Sequence, residues 1–314
     1  MLLPSEIPGY VLPKLKQVTN PNGSRYYKHS SGLKLPSVTT LISKFESKEW
    51  LKTWKENNGN EACNEIRNNA ATIGTKVHSS NEAFFTKEPY TTDSEEVILR
   101  HRLFIPFLEK INPLFLEERF CWLDQMANMQ VGFAGSADVV GTIKSDLSDL
   151  LFQDKERVTP FTDLPVGSVF VGDYKNFLKA KSPKVLLGKY LQAAAYSLAV
   201  EQTTGGRVKP KHGLVIGTTK TMLSIFYLNP GQMNWYKFFF KKMVLAYFTK
   251  TPFDWKSFNE FSVGYMYNEG WEEKGEKKWV DRAENYLATQ LWTPKVKKDQ
   301  LSQIQHPYLT FSRI

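Results

Sequence analysis

Two aspartates and one lysine in the middle of this 314-residue chain have the types and spacing that metal-dependent phosphodiester cleavage requires. Asp173 and Lys175 follow the apolar run of residues 169–171, which predicts a buried strand. Because side chains two positions apart on a strand share one face, the carboxylate and the ammonium are predicted to lie side by side. Asp138 lies on a second predicted strand, where glycines indicate bulges or close backbone approach.

Phosphodiester cleavage needs an activated water, stabilised charge at phosphorus and a neutralised leaving oxygen. Mg²⁺ can supply all three, and it usually takes only one or two protein carboxylates together with phosphate and water. We therefore predict that Asp138 and Asp173 bind Mg²⁺ or Mn²⁺. Lys175, one strand step from the metal, is expected to hold the attacking water or to offset charge on the phosphate.

The helix after this strand is predicted to present a polar face to the carboxylates. Ser182 is a favourable N-cap and Pro183 a favourable first helical residue. Lys189, Gln192 and Tyr196 are spaced i, i+3, i+7, so they lie on one face of the helix. The leucines and alanines of another face would pack on the sheet.

The segment between Asp173 and Glu201 is basic and contains no acidic residue. Because phosphate contacts come mainly from lysine and arginine, this local field favours a polyanionic substrate. An ordinary solvated lysine face is the alternative interpretation. The predicted DNA-binding side chains are those of Lys179, Lys181, Lys184 and Lys189.

Five motifs resemble, in order along the chain, those of the RecB-like branch of the PD-(D/E)XK nuclease superfamily. The resemblance covers roughly residues 25–250, and within the branch the chain is most similar to the mitochondrial genome maintenance exonuclease and related phage exonucleases. Some RecB-like nucleases hold an iron–sulfur cluster with four cysteines; this chain has only two, so none is expected. The motifs are Pro36-Ser-Val-Thr-Thr-Leu-Ile42, Gly74-Thr-Lys-Val-His78, Gly132-Phe-Ala-Gly-Ser-Ala-Asp138, Asp173-Tyr-Lys175 and Gln192-Ala-Ala-Ala-Tyr196.

The resemblance implies a role at each matching position. His78, on an N-terminal helix, would approach the metal or a phosphate. Gln192 and Tyr196 would line the site and contact the DNA. The implied catalytic residues are Asp138, Asp173, Lys175, His78, Gln192 and Tyr196.

The family also carries an acidic residue before Asp138, and that position is ambiguous here. The predicted strand 115–122 contains both Glu117 and Glu118. Strand alternation lets only one of them face the site and does not decide which. If Glu118 is taken as the residue that faces the site, the predicted metal ligands are Asp138, Asp173, Glu118 and His78.

The resemblance implies an α/β fold with a restriction-endonuclease-like core, in which helices flank a mixed central β-sheet. The nuclease domain is predicted to span residues 1–264, with a helical part at about 37–112 and a catalytic core at about 113–250. Residues 265–314 would form a C-terminal extension of unknown role, and residues 144–167 an inserted loop. Periodicity predicts a hairpin at 26–36, strands at 115–122, 131–143, 169–173, 213–218 and 222–228, and helices at 42–54, 61–85, 94–111 and 235–248. Gly74 is predicted to interrupt the helix at 61–85.

The composition fits a nucleic-acid partner. The chain has 41 basic and 32 acidic residues, a net charge of +9 and a pI near 9.2, a balance that favours nucleic acid over acidic small molecules. Two cysteines imply no disulfide framework and suit a reducing compartment. Residues 1–17 lack an apolar signal region, and lysines interrupt the apolar run 235–248. We therefore expect a cytoplasmic protein, neither secreted nor membrane-spanning, in the host cytoplasm if phage-encoded.

Together these observations predict a divalent-metal-dependent DNA exonuclease, with single-stranded ends as the candidate preference. Its work would be DNA degradation, replication or recombination, an expectation that rests on analogy. One alternative is a structure-specific or sequence-specific endonuclease on the same core. Another is a non-catalytic DNA-binding protein that kept the fold, against which the complete set of Asp138, Asp173 and Lys175 argues.

Overall fold

The computed structural model describes residues 13–147, 152–153, 164–181, 183–255, 258, 289–292 and 309–311. Its helices are α1 (Val38–Phe45), α2 (Glu49–Asn58), α3 (Asn60–Thr86), α4 (Glu95–Leu108), α5 (Leu187–Thr203) and α6 (Pro230–Thr249). Its strands are β1 (Lys16–Thr19), β2 (Arg25–Lys28), β3 (Lys34–Pro36), β4 (Tyr90–Thr92), β5 (Ile111–Met126), β6 (Met129–Ile143), β7 (Phe152–Gln153), β8 (Val169–Asn176), β9 (His212–Thr218), β10 (Leu223–Leu228), β11 (Thr289–Trp292) and β12 (Leu309–Phe311).

A mixed sheet forms the centre of the fold, with the strand order β5-β6-β8-β9-β10-β11-β7. Strands β8 and β9 run parallel, and the other neighbouring pairs are antiparallel. Parallel neighbours need a crossover connection, which α5 provides between β8 and β9. The predicted α/β class, with helices flanking a mixed central sheet, is therefore confirmed.

Helices cover both faces of this sheet, and each face holds its own apolar cluster. On one side Val171 and Val215 pack with residues of α1, α5 and α6; we call this the α5 face. On the other side Phe170 and Leu214 pack with residues of α3 and α4; we call this the α3 face. Burial on both faces explains why β8 and β9 carry nearly continuous apolar runs.

A second, three-stranded sheet of β1, β2 and β3 lies against β5 and β6. Tyr27 and Leu35 from this sheet pack on Cys121 and Ala134. The hairpin predicted at residues 26–36 is therefore confirmed, with one additional strand. This packing brings the N-terminal segment beside the two strands that carry Glu117 and Asp138.

Two predictions about the N-terminal helices are wrong. The predicted helix 42–54 is two helices, because Glu46 adopts an extended conformation and ends α1. The predicted interruption at Gly74 is absent, and α3 runs through it. A glycine inside a helix costs only about 1 kcal/mol, which the packing of α3 against α4 and the sheet outweighs.

Two helix ends also differ from prediction. Helix α4 ends at Leu108 because β5 already begins at Ile111. Helix α5 begins at Leu187, after a 3₁₀ turn at Pro183–Leu186. Such turns are frequent at helix starts, so proline at the predicted first position opens a 3₁₀ turn and Ser182, which lies outside the described residues, is not the N-cap of α5.

Short strands from the predicted extension and inserted loop pair with the rest of the fold. Strand β11 pairs antiparallel with β10, and β7 pairs with β11 at the sheet edge. Strand β12 pairs parallel with β4. The remainder of residues 265–314, and residues 1–12, lie outside the described part of the chain. Among the described helices, none has the length and apolar character needed to cross a bilayer.

Candidate active site

The β5–β6 register pairs Leu116 with Val139 and Glu118 with Ala137, and it contains no pair for Glu117 and Asp138, which lie between them. Glu117 has a φ of 48°, a left-handed conformation that is uncommon outside glycine. On β6, Ala137 packs on the α5 face and Val139 on the α3 face, although strand residues two positions apart normally share a face. The change of face occurs at Asp138, and the local backbone therefore aims both carboxylates into one space.

Asp173 and Lys175 follow Val171 at intervals of two, and they lie on the α5 face of β8. Asp173 is only 1% exposed. Its Oδ1 lies 2.6 Å from Lys175 Nζ and accepts a hydrogen bond from Gln192 Nε2 at 3.1 Å. Its Oδ2 is buried and has no hydrogen-bond partner within the described structure.

The charge of Lys175 is set by its carboxylate neighbours. Burial works to lower the pKa of Lys175, but the charges of Asp173 and Asp138 outweigh burial and raise it. The amine is therefore an ammonium at neutral pH. It can donate hydrogen bonds and offset negative charge, and it cannot act as a base in this state.

Asp138 is buried beside the same groups. Its Oδ2 accepts a hydrogen bond from the Tyr174 backbone N–H at 2.6 Å and lies 3.7 Å from His78 Nδ1. Burial is the main cause that raises the pKa of Asp138 to about 7; the charge of Lys175 opposes this shift and that of Asp173 adds to it. A bound cation would relieve this crowding of carboxylates.

His78 reaches the carboxylates from α3. Its Nε2 lies 3.1 Å from the Tyr174 carbonyl oxygen, and its Nδ1 lies 3.2 Å from Glu117 Oε1. A carbonyl oxygen only accepts, so Nε2 carries a proton. The Nδ1 atom then either donates to Glu117, in the imidazolium, or offers its lone pair to a cation, in the neutral ring. Burial would lower the pKa of His78, but the hydrogen bond with Glu117 and the charge of Asp138 outweigh it, so the pKa is raised.

These groups have the donor set and spacing of a divalent-cation site. The ligand atoms of His78, Glu117 and Asp138 all lie within 4.8 Å of one another. The two carboxylates suit Mg²⁺ or Mn²⁺, whereas the imidazole is a more usual ligand of Zn²⁺ and iron. The structure places Glu117 beside Asp138 and His78, and not Glu118, which was the predicted ligand. The Glu118 carboxylate instead accepts a hydrogen bond from the Arg119 backbone N–H at 2.9 Å, because the left-handed backbone turns only its neighbour toward the site.

Helix α5 closes the site from the opposite side. Gln192 Nε2 donates to the Tyr196 hydroxyl at 3.1 Å. The Tyr196 ring fills the space beside Gly135, where an added Cβ would lie 2.6 Å from the ring; this position of β6 therefore requires glycine. Lys189 lies half-buried one turn earlier, where burial and the charge of Lys175 lower the pKa of the Lys189 amine.

Apart from His78, the side chains that surround Asp138 and Asp173 line one cavity of about 270 Å³, which we call the carboxylate pocket. It unites residues that the sequence places on three separate segments. His78 lines an adjoining cavity that shares Glu117 with the pocket. The polar side chains of the carboxylate pocket are those of Gln17, Arg25, Tyr27, Ser37, Thr39, Glu117, Ser136, Asp138, Asp173, Lys175, Lys189, Gln192 and Tyr196.

One wall of the pocket comes from the N-terminal sheet and the start of α1, to which the sequence analysis gave no role. Arg25 Nη2 donates to Thr39 Oγ1 at 2.9 Å, and the Tyr27 hydroxyl donates to Gln17 Oε1 at 3.0 Å. Ser37 is the N-cap of α1. The signal for this wall was the Pro-Ser-Val-Thr-Thr motif, whose hydroxyl residues are suited to a helix start.

The lysines predicted to bind DNA do not form one continuous group. Lys179 and Lys181 are exposed beyond the end of β8. Lys189 instead lies inside the carboxylate pocket. The side chain of Lys184 lies outside the described residues. Binding of DNA by these lysines stays a prediction.

Comparisons with known proteins add little to this geometry. No family model matches the chain, and no curated protein matches it. The solved structures that it matches include the crystal structure of SSO0001, with 12% sequence identity and a TM-score of 0.34. That match covers 73% of this chain and 83% of the other. A likeness at this level carries no argument about activity, so function must be argued from the pocket itself.

Proposed function

We propose that the protein is a divalent-metal-dependent deoxyribonuclease that removes nucleotides from DNA ends. One observation carries the proposal. Oδ1 of the buried Asp173 contacts the Lys175 ammonium, and its Oδ2 has no hydrogen-bond partner in the described structure. A buried acceptor without a partner costs about 1–3 kcal/mol. Two further carboxylates, of Glu117 and Asp138, line the same pocket. Such an arrangement favours an external cation over a purely structural role.

The residues suited to hold the ion are His78, Glu117, Asp138 and Asp173. A bound Mg²⁺ or Mn²⁺ would lower the pKa of a bound water and stabilise negative charge on the phosphate. The imidazole would coordinate the ion through Nδ1, because Nε2 donates its hydrogen bond to the Tyr174 carbonyl oxygen. That hydrogen bond fixes the orientation of the ring on α3.

The other pocket residues act on the substrate and on the ligands. The ammonium of Lys175 would contact the attacking water or a phosphate oxygen, with its position set by Asp173 Oδ1. Gln192 holds that same carboxylate oxygen and so fixes the direction of Oδ2. The hydroxyl of Tyr196 supports Gln192 in turn.

DNA is the proposed substrate because the surroundings of the pocket are cationic. The chain carries a net charge of +9, and Arg25 and Lys189 line the pocket itself. Lysine and arginine supply most phosphate contacts in nucleic-acid complexes. A preference for free ends, and a cytoplasmic site of action, are parts of the proposal that rest on the resemblance and the composition.

The test uses end-labelled single-stranded and double-stranded linear DNA and a covalently closed circle, each with Mg²⁺, with Mn²⁺ or with EDTA. We expect progressive shortening of the linear substrates, dependence on the metal and an intact circle. The matched pair of variants is Glu117→Gln and Glu118→Gln, of which only the first should lose activity. Nicking of the circle would favour an endonuclease, and salt-sensitive binding without any product would favour a non-catalytic DNA-binding protein.

A further inference from the structure

The connection between β8 and α5 exposes two apolar side chains next to the carboxylate pocket. Leu178 is 71% exposed and Val185 is 62% exposed. Only five large apolar side chains are exposed among the described residues, and two of them lie in this connection. Exposed apolar side chains are therefore concentrated in the connection between the strand of Asp173 and the helix of Gln192.

Buried neighbours fix the positions of both exposed residues. Phe177, which precedes Leu178, packs its ring against Gly217 and donates its backbone N–H to the Thr218 carbonyl at 2.8 Å. Leu186, which follows Val185, is buried in the core on the α5 face. Each exposed side chain is thus held outward by an anchored residue beside it, as a rigid contact surface requires.

Both residues are close to the pocket along the chain. Leu178 comes three residues after Lys175, so their Cα atoms are separated by at most roughly 11 Å. Val185 comes four residues before Lys189, whose side chain lines the pocket. DNA whose scissile phosphate lies at Asp173 would place its nearest bases within reach of this connection.

The chain segment that carries the two apolar residues is basic. Lys179 is exposed directly after Leu178, and no acidic residue occurs from 174 to 200. A combination of apolar side chains with lysines matches the two parts of a nucleotide, since bases present apolar faces and phosphates carry the charge. Continuity with the pocket favours nucleic acid over a protein partner.

We propose that Leu178 and Val185 form a wedge that contacts the terminal bases and opens the last base pair of duplex DNA. The proposal rests on the proposed nuclease function and deepens it, because it names the residues that would deliver a single-stranded end to the pocket. Apolar side chains inserted at a base step perform this kind of unstacking in other DNA-binding proteins. The wedge makes duplex digestion, and not single-strand digestion, depend on these two side chains.

The experiment compares the unmodified protein with the double variant Leu178→Ser/Val185→Ser on single-stranded DNA, blunt duplex and a duplex with an unpaired end. We expect an about tenfold slower rate on blunt duplex, the effect of restoring part of the unstacking cost, and rates within about twofold on the other two substrates. The rescue variant Leu178→Met/Val185→Ile should keep the duplex rate.

The control is Val166→Ser, which removes an apolar side chain that is 60% exposed. It precedes β8, and the six strand steps from Val169 to Lys175 alone span about 20 Å. This variant should digest all three substrates at the unmodified rate. A terminal 2-aminopurine in blunt duplex should brighten when bound by Asp173→Asn and stay quenched when the wedge residues are also serine.

Three outcomes would overturn the wedge. Equal rates and equal 2-aminopurine signals with and without the serines would assign the surface to a protein partner. Equal slowing on all three substrates would make it a general DNA contact. Absence of cleavage by the unmodified protein on every substrate would overturn the nuclease proposal itself. That result is distinguishable from failure of the wedge alone, because it concerns the unmodified protein and needs no comparison with the serine variants.

Discussion

Two buried charged residues, Arg100 on α4 and Asp173 on β8, differ in whether the chain supplies all of their hydrogen-bond partners. Arg100 is 2% exposed, and its Nε and Nη2 donate to Glu96 Oε1 at 3.0 and 2.8 Å. Its Nη1 donates to the carbonyls of Thr218 and Phe177. Asp173 is equally buried, yet one of its two oxygens has no partner within the described structure. The first group is complete within the chain, and the second is not.

This contrast separates a structural charge from a binding charge. A buried ion whose partners all belong to the chain ties elements together, here α4 to the ends of β8 and β9. A buried ion left with an open oxygen lowers stability unless something outside the chain completes it.

The change Asp173→Asn should reduce DNA cleavage by about 10³-fold, because it removes a charged ligand from the pocket. Binding of DNA should be largely retained, since no phosphate donor is lost. Single-turnover cleavage and fluorescence anisotropy in the same buffer measure the two effects. Turnover at the unmodified rate would remove Asp173 from the active site.

The change Arg100→Met should lower the free energy of unfolding by about 3 kcal/mol, because Glu96 Oε1 and the Phe177 carbonyl lose the guanidinium that donates to them. The folded fraction should cleave DNA at nearly the unmodified rate. Urea unfolding and activity at low temperature provide the readouts. A variant that is fully stable but inactive would reverse the comparison and make Arg100 a site residue.

The change Gly135→Ala should lower the free energy of unfolding by about 1–3 kcal/mol and slow cleavage, because the new methyl group meets the Tyr196 ring. Gly74→Ala is the matched control. An added Cβ there meets only Asn176 Nδ2 at 3.4 Å, and alanine inside α3 should stabilise by up to about 1 kcal/mol. Equal effects of the two substitutions would contradict the close approach of Tyr196 to β6.

The pair of Glu96 and Arg100 should make stability depend on pH. Burial raises the pKa of Glu96, but the hydrogen bonds and charges of Arg100 and Lys220 outweigh it, so the pKa is lowered. Its contribution is therefore present above the ordinary glutamate pKa and is lost as the pH falls through the lowered value. Urea unfolding from about pH 6 to about pH 3 should show a shallower loss for Glu96→Gln than for the unmodified protein. Parallel curves would show that the pair contributes no pH dependence.

Much of the sheet and part of the site could be predicted from the sequence, because both depend on short periods. The alternation at residues 169–175 predicted which face Asp173 shares with Lys175, and helical spacing predicted which residues of α5 face them. Both patterns are retained in the structure, because β8 is buried on both faces of the sheet and α5 packs on one of them.

The remaining features depend on contacts that no local pattern contains. Alternation could not choose between Glu117 and Glu118, because Glu117 has a left-handed backbone conformation and no partner in the β5–β6 register, which no local pattern indicates. The two carbonyl partners of Arg100 lie 77 and 118 residues away along the chain, so its burial could not be predicted. The start of α5 was misplaced because proline at a first helical position also permits a 3₁₀ turn.

The most direct test of the central claim is Mn²⁺ binding, measured by titration calorimetry on the unmodified protein and on the variants Glu117→Gln and Glu118→Gln without DNA. We predict binding by the unmodified protein, affinity lowered by about tenfold or more in Glu117→Gln, and unchanged affinity in Glu118→Gln. Absence of binding by the unmodified protein, or equal affinity in both variants, would contradict a metal site in the carboxylate pocket.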